Sequence, residues 1–476
     1  MRKKSAFHRL FRKQDPKFYF DQDARLVPSL TTKDLLGLGL GMVVGTAIFT
    51  LPGIVAADHA GPAVVFSFLL GAVGAGLAAL AYAETASVLP FAGSAYSWIT
   101  VLFGEIWGWL TGWALLAEYF IAIAFVASGW SAYVQGFLGS LGVHLPEMMT
   151  AGFNLHHGTM IDVLALGAIL FVGWLLSHGI DQISRLENGL VIFKLVVVVI
   201  FIIVGATAIH STNYVPFIPK HRPGTSFGGL TGIVAGTAQI FLAYVGFDAI
   251  AANTAETKNP QTTMPRGIIG TLVIGTVLFM FVSLVLVGMY RYTSYAGNAE
   301  PAAWALRRSG HNLVAGLLSL VAILGMFASL IGIHLASSRL VYAFGRDGLL
   351  PKYLGHLNHK QLPGRALTLV TIAAAVLGSI FPFTFLANLV SAGTLVAFMM
   401  VSFGIYALRP REGRDLMTAQ FKMPGYPILP AISAGFSAVI FMGLNQAAKL
   451  LMVGWFAIGL LIYLGYGFKH SKLQHP

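Results

Sequence analysis

Residues Gly41–Phe49, with the sequence GMVVGTAIF, lie in the middle of the first long apolar run of this chain. Gly37, Gly39 and Gly45 crowd the same run, although a glycine weakens a helix by about 1 kcal/mol relative to alanine. Small residues four positions apart allow two helices in a membrane to pack closely. Glycines also permit a break in the helix, which exposes backbone groups to a ligand. The stretch alone leaves both explanations open.

The composition of the chain indicates a membrane protein. Its 476 residues are 56% hydrophobic and 10% charged, with a mean hydropathy of +0.76, whereas soluble domains carry about 25% charged residues. A helix needs about 20 apolar residues to span a bilayer. Twelve runs of this kind are present, centred near residues 45, 74, 115, 169, 200, 240, 279, 328, 374, 396, 434 and 458. We therefore expect an all-α integral membrane protein with twelve transmembrane helices.

The positive charge is distributed as the positive-inside rule requires. With the N-terminus in the cytoplasm, 23 of the 30 Lys and Arg residues fall in cytoplasmic segments and 6 in external loops. The formal charge of +12 therefore reflects topology and predicts no nucleic-acid partner. We expect a multi-pass protein of the cell (plasma) membrane with both termini cytoplasmic. Its predicted parts are a basic segment (1–32), a transmembrane core (33–408), and two accessory helices with a short tail (409–476).

The sixth apolar run is interrupted like the first. It continues as FLAYVGFDAIAANTAETKNP, with Gly246 and Asp248 inside it. Interrupted helices at corresponding positions of two halves are typical of inverted-repeat transporters and mark their binding site. A break near Gly45, Thr46 and Ala47 would present N–H groups to an anion. Carbonyls freed around Val43 would suit an ammonium group, so a zwitterion fits both.

Three polar residues interrupt other apolar runs, and each has a structural alternative. Lys194 costs about 2.5–3.5 kcal/mol at a helix centre. It either snorkels or binds backbone carbonyls, or it exchanges a proton or takes the place of a bound cation. Glu118 either serves the binding site or is a hydrogen-bonded structural acid. His334 either packs in the core or lines the pocket. No catalytic set, phosphate loop or metal cluster is evident, so we expect no enzyme, no metal and no cofactor except protons as the coupling ion.

Several blocks of the sequence together resemble one family. They include GPAVVFSFLLGAVGAGLAALAYAETASVLPFAGSAYSW, FGEIWGWLTGWALLAEY, SRLVYAFGRDGLLP and LVSAGTLVAFMMVSFGIYALRPR. From about Thr31 to Gly467 the chain resembles the amino acid–polyamine–organocation (APC) superfamily, and within it the bacterial members of the cationic amino acid transporter family. The resemblance implies the leucine-transporter (LeuT) fold, with a five-plus-five inverted repeat and two accessory helices. It also implies secondary active import of amino acids by alternating access.

The resemblance assigns roles to particular residues. The substrate carboxylate is expected at Gly45, Thr46 and Ala47. The amino group is expected at carbonyls near Val43, Leu242, Ala243 and Val245. Lys194 matches the lysine that replaces a sodium ion in proton-coupled members, and Glu118 matches an acidic residue of the third helix.

Three positions depart from the family pattern. Ala47 stands where glycine is usual, Leu242 where an aromatic is common, and His334 where small or aliphatic residues are common. Phe241 or Tyr244 would then be the aromatic that closes the site. We find no second acidic pocket residue beside Glu118, which favours small or apolar neutral amino acids over cationic ones. The alternatives are an exchanger of amino acids or amines and a cationic amino acid transporter, and a non-transporting amino acid sensor is less favoured. Amino acid and membrane lipids are the expected partners, with the oligomeric state left open.

Overall fold

A computed structural model describes residues 11–23, 28–91, 93–155, 158–178, 183–244, 246–358 and 362–472. Within these ranges the chain is helical, and β pairing is limited to isolated bridges. The helices of the first half are α1 (Pro16–Asp23), α2 (Thr32–Val43), α3 (Thr46–Val55), α4 (Val64–Val88), α5 (Ser94–Leu102), α6 (Glu105–Ser140), α7 (Val163–Ser177), α8 (Ile183–Ala206), α9 (Gly229–Ile240) and α10 (Phe247–Ala252).

The second half continues the same pattern of long apolar helices. It contains α11 (Pro260–Met289), α12 (Pro301–Arg308), α13 (Asn312–Asp347), α14 (Gly364–Ile380), α15 (Phe383–Leu408), α16 (Ile428–Gly443) and α17 (Gln446–Ile462). Within the described ranges, seven helical segments are long and apolar enough to cross a membrane, and four shorter helices are also apolar. The chain is therefore an all-helical, multi-pass membrane protein, with a helix at each of the twelve apolar runs.

The long helix α6 lies at the centre of the bundle. It packs against α13, α15 and α14, and its most apolar stretch is almost wholly buried by protein. Helix α17, in contrast, exposes most of its apolar surface. In a membrane protein such a surface faces lipid, so α6 belongs to the core and α17 to the periphery.

The two ends of α6 meet different parts of the chain. At the end that begins with Glu105, here called the tail end, both chain tails dock. The Glu105 carboxylate accepts hydrogen bonds from Tyr463 (2.9 Å) and Ser471 (2.9 Å), and its N–H donates to the Arg12 carbonyl (3.1 Å). At the opposite end, here called the lid end, Gly136 lies against the carboxylate of Glu300, which immediately precedes the short helix α12, here called the lid helix.

Candidate substrate site

The first apolar run is divided into two helices. Helix α2 ends at Val43, Val44 leaves the helical region (φ −83°, ψ 50°), and Gly45 turns the chain (φ −97°, ψ −136°) before α3 begins at Thr46. The sequence predicted unwinding over Gly45, Thr46 and Ala47, but only Gly45 of these is outside a helix. Thr46 and Ala47 instead form the first turn of α3, where N–H groups have no partner within the helix and carry the positive end of its dipole.

The sixth apolar run is interrupted in a different way. Helix α9 passes into a 3₁₀ turn (Phe241–Tyr244), and α10 begins after Gly246. Gly246 has a φ of +131°, which strongly favours glycine. Its N–H donates to the Asp248 carboxylate (2.9 Å). Val245, predicted as a substrate-binding residue, lies outside the described residues.

The two interruptions face a shared cavity of about 50 Å³, which has room for a few water molecules. Its walls come from both breaks, α6 and α13. Most of them are apolar: Met42, Val43, Ala47, Ala122, Phe125, Val126, Leu242, Ala243 and Ile333. The polar lining residues are Thr46, Tyr119 and Asp248. The Thr46 hydroxyl is buried and has no hydrogen-bond partner among the described residues, so it can bind a ligand.

Lys194 lies behind the first break rather than in the cavity wall. Its ammonium donates to the Gly41 carbonyl (2.9 Å), and Ser329 on α13 donates to the same oxygen (3.3 Å). The side chain is 2% exposed, so it does not snorkel to a membrane surface. A Cβ added to Gly325 would overlap the Lys194 side chain, which shows how closely α13 approaches it. The lysine therefore joins α8 to the end of α2 next to the break.

The other predicted pocket residues lie outside the cavity lining. Glu118 is fully buried beside the Thr394 hydroxyl. His334 is buried, and its Nδ1 donates to the Leu330 carbonyl (2.8 Å) within its own helix. Tyr244 donates its hydroxyl to the Phe68 carbonyl (2.7 Å). Phe241 packs on Phe398 (5.7 Å between ring centroids).

These contacts bear on the prediction that Phe241 or Tyr244 replaces the aromatic residue that is common at position 242. The side chains of Phe241 and Tyr244 point to other helices, whereas Leu242 itself lines the cavity. The expectation that either aromatic closes the site in its place is therefore not supported by their positions. The wall at this point is aliphatic.

The cavity also contains an acid, Asp248, which the sequence places at the second break but does not place in the pocket. Asp248 lines it, so the statement that no second acidic residue is present was wrong. The signal was available, since Asp248 follows the helix-breaking Gly246 by two residues and an aspartate there can accept from a free N–H. Because it caps the break, its presence alone does not make the pocket specific for cations.

Tyr119 and Ile333 were missed for a simpler reason. Each is the immediate neighbour of a predicted residue, Glu118 or His334, on a helix that is apolar around its circumference. Consecutive residues on a helix point about 100° apart. The sequence identified the correct helical turn but not the side that faces the cavity.

A bundle of apolar helices, two of them broken at one central cavity, defines a membrane transporter for a small solute. The family model described as "Amino acid permease" matches residues 30–466. The chain belongs to this amino acid permease family, and it is a transporter, not an enzyme. The resemblance to the APC superfamily is thereby confirmed.

Individual relatives are similar over nearly the whole chain. The branched-chain amino acid permease BcaP of Lactococcus lactis subsp. cremoris is 54% identical over 461 residues, covering 97% of this chain and 99% of that protein. The methylthioribose transporter of Bacillus subtilis is 38% identical, covering 94% and 95%. The vacuolar cationic amino acid transporter 4 of Arabidopsis thaliana is 35% identical, covering 84% and 66%.

Proposed function

We propose that this protein is a secondary active importer of branched-chain and similar apolar neutral amino acids, driven by protons through alternating access. The observation that carries the proposal is the cavity between the two helix breaks, with backbone groups at one side and aliphatic side chains at the other. The relative with 54% identity is a branched-chain amino acid permease, which supports the same class of substrate.

The architecture we propose is the LeuT fold with twelve transmembrane helices. The breaks lie in the first and sixth apolar runs, five runs apart, as a five-plus-five inverted repeat requires. Helices α16 and α17 follow the repeat as accessory helices, in line with the exposed apolar surface of α17. We propose the three parts predicted from the sequence: the basic segment (1–32), the transmembrane core (33–408), and the accessory helices with the short tail (409–476).

The proposed pose places the substrate carboxylate at the start of α3. There it meets the N–H groups of Thr46 and Ala47, the positive end of the helix dipole and the Thr46 hydroxyl. The ammonium group faces the carbonyls around Val43, Leu242 and Ala243. The side chain then extends over Ala122, Val126 and Ile333, which offer apolar contact and no hydrogen bond.

Apolar walls determine which side chains fit. A branched aliphatic side chain gains about 0.8 kcal/mol for each methylene it removes from water. A polar side chain of the same size would lose its hydrogen bonds to water without replacement. Asp248 supports a second candidate, a cationic amino acid, because a carboxylate in the cavity lining can pair with a positive side chain.

Lys194 is the group we propose for proton coupling. While protonated, it donates to the Gly41 carbonyl and holds α2 against α8 and α13. Loss of the proton removes the positive charge and weakens this hydrogen bond. The end of α2 next to the substrate is then released, so one proton controls both the position of a helix and the shape of the site.

The orientation follows from the charge distribution. The tail end, with most of the Lys and Arg residues, is proposed to face the cytoplasm, and the lid end to face outward. A plasma membrane, most simply that of a bacterium, is the proposed location.

Uptake into proteoliposomes tests the proposal directly. A pH gradient, acidic outside, is expected to drive accumulation of labelled leucine, and Lys194→Met to abolish that accumulation. Lys449→Met is the matched control and should behave as the native protein, because Lys449 is a half-buried lysine on α17 whose ammonium also donates to a backbone carbonyl, that of Met442 (3.0 Å). Full proton-driven accumulation by Lys194→Met would contradict the coupling role.

The same vesicles separate the alternatives. Competition by isoleucine and valine, with little by arginine, supports the apolar substrate, and the reverse order supports a cationic one. Counterflow without net uptake would indicate an exchanger. Leucine binding with neither counterflow nor uptake would indicate a sensor.

A further inference from the structure

The lid helix α12 is linked to the substrate cavity through a single short helix. Helix α3 carries Thr46 and Ala47 at its first turn and Gly53 two turns later. A Cβ added to Gly53 would overlap Pro301, the first residue of the lid helix. The Tyr133 hydroxyl of α6 donates to the Phe49 carbonyl of α3 (3.0 Å) and lies beside the backbone of Ala303. A movement of the lid helix is thus transmitted to α3.

Glu300, which immediately precedes the lid helix, extends its carboxylate to α6. One oxygen, Oε1, pairs with Arg307 at the other end of the lid helix. The second oxygen, Oε2, is buried and has no hydrogen-bond partner among the described residues. A Cβ added to Gly136 of α6 would overlap this carboxylate, so the absence of a side chain at Gly136 creates the space that Glu300 occupies.

We propose that Glu300 is a proton-binding site that closes the lid helix over the substrate cavity when the solution at the lid end becomes acidic. A buried carboxylate oxygen with no donor is unfavourable when charged and favourable when it carries a proton. When the lid helix lifts, the same oxygen meets water and the charged form is restored. Protonation therefore favours the closed position.

The charges around Glu300 agree with this direction. Arg307 on the lid helix pairs with it, Tyr133 faces it from α6, and α3 (Thr46–Val55) contains no titratable residue. Burial outweighs the attraction of Arg307 and raises the pKa of Glu300 to about 7 in the closed position. With the lid lifted, the ordinary value of about 4.3 applies.

The two pKa values of Glu300 determine the direction in which pH shifts the lid equilibrium. Between about pH 4.3 and 7, the closed lid binds a proton and the lifted lid does not, so closing becomes more favourable as the pH falls. The stabilisation is complete below the lower value and is lost as the pH rises through 7. A shift of this size changes the lid equilibrium by about tenfold or more between pH 5.5 and 8.

The chain has no cysteine, so a single introduced thiol can report the lid position. Ala303 lies within the lid helix and is fully buried, and Ala303→Cys should react with a polar maleimide only when the lid lifts. Ser294→Cys, at an exposed position nearby, corrects for the pH dependence of the thiol reaction itself. The purified protein in nanodiscs is labelled without substrate at pH 5.5 and 8.

We expect the labelling rate of Ala303→Cys relative to Ser294→Cys to rise about tenfold from pH 5.5 to 8. Adding Glu300→Gln, which mimics the protonated acid, should give a low ratio at both pH values. Adding Glu300→Asp keeps a titratable group and should restore the pH dependence. Two results would overturn the proposal. One is an equal labelling ratio at both pH values when Glu300 is intact, and the other is an undiminished rise of the ratio with pH in the Glu300→Gln variant.

The proposal extends the proposed function but is tested independently of it. Labelling requires no transport, no substrate and no known orientation, so a failure of Lys194 to couple protons leaves the labelling result intact. Conversely, a labelling ratio that does not change with pH would not contradict leucine import or the proposed role of Lys194.

Discussion

The two helix breaks at the cavity are stabilised by opposite charges. At the first break, the carbonyl of Gly41 accepts from the ammonium of Lys194, which belongs to another helix. At the second break, the N–H of Gly246 donates to the carboxylate of Asp248, two residues further along the same chain. One break therefore depends on its neighbours, and the other supplies its own partner.

The difference suggests separate tasks for the two breaks. A hydrogen bond between helices changes when the helices move, whereas a bond over two residues is kept through the movement. The first break is thus suited to sensing a proton on Lys194. The second is suited to holding its shape while the substrate binds and leaves.

The largest effect is expected from Gly246→Ala. The φ of +131° disfavours any residue with a Cβ, and the added Cβ would lie 2.9 Å from the Cβ of Met42 at the first break. Strain of about 1–3 kcal/mol should lower leucine uptake more than tenfold. Gly76→Ala, where a Cβ meets nothing within 4 Å, is the control and should leave uptake unchanged. Native uptake by Gly246→Ala would show that the second break does not hold a fixed shape.

Asp248→Ala should have the next largest effect, because it leaves the Gly246 N–H without its acceptor. A lost partner for a buried donor costs about 1–3 kcal/mol, so uptake should fall about tenfold. Asp248→Asn retains an oxygen that can accept the same bond and should fall much less. Initial uptake rates of both variants decide the matter, and equal loss in the two would mean that the charge, not the cap, is what the break requires.

The smallest effect is expected from Ala47→Gly at the first turn of α3. Removing this methyl group widens the cavity beside the proposed carboxylate position. Larger amino acids such as phenylalanine should then compete about two- to threefold better against labelled leucine, which is less than the 1–3 kcal/mol that one methylene is worth in a tightly fitting hydrophobic pocket. Ala81→Gly, at a buried position on α4 away from the cavity, should leave the ranking of competitors unchanged.

Much of the architecture could be predicted from the sequence, because its signals are local. Apolar runs of about 20 residues identify spanning helices without knowledge of their packing. The glycines at Gly45 and Gly246 likewise identified both breaks. The exact extent of the first break, Val44 and Gly45 and not Gly45 to Ala47, depends on how soon α3 can begin, which composition does not reveal.

The rotation of each helix could not be predicted in the same way. A helix that is apolar on all sides has no polar face to orient it. Polarity alone therefore predicts Glu118 and His334 as pocket residues. The cavity instead uses their neighbours Tyr119 and Ile333, because the packing of α6 against α15 and of α13 against α8 determines which side of each helix faces inward.

Helix α6 has a further consequence through its length. Its 36 residues extend about 54 Å at 1.5 Å per residue, against a hydrocarbon thickness of about 30 Å. Along this one unbroken backbone lie Glu105 with both chain tails, Tyr119 in the cavity wall and Gly136 against the Glu300 carboxylate. The helix is longer than the hydrocarbon layer is thick, so one rigid element connects the two aqueous surfaces of the protein.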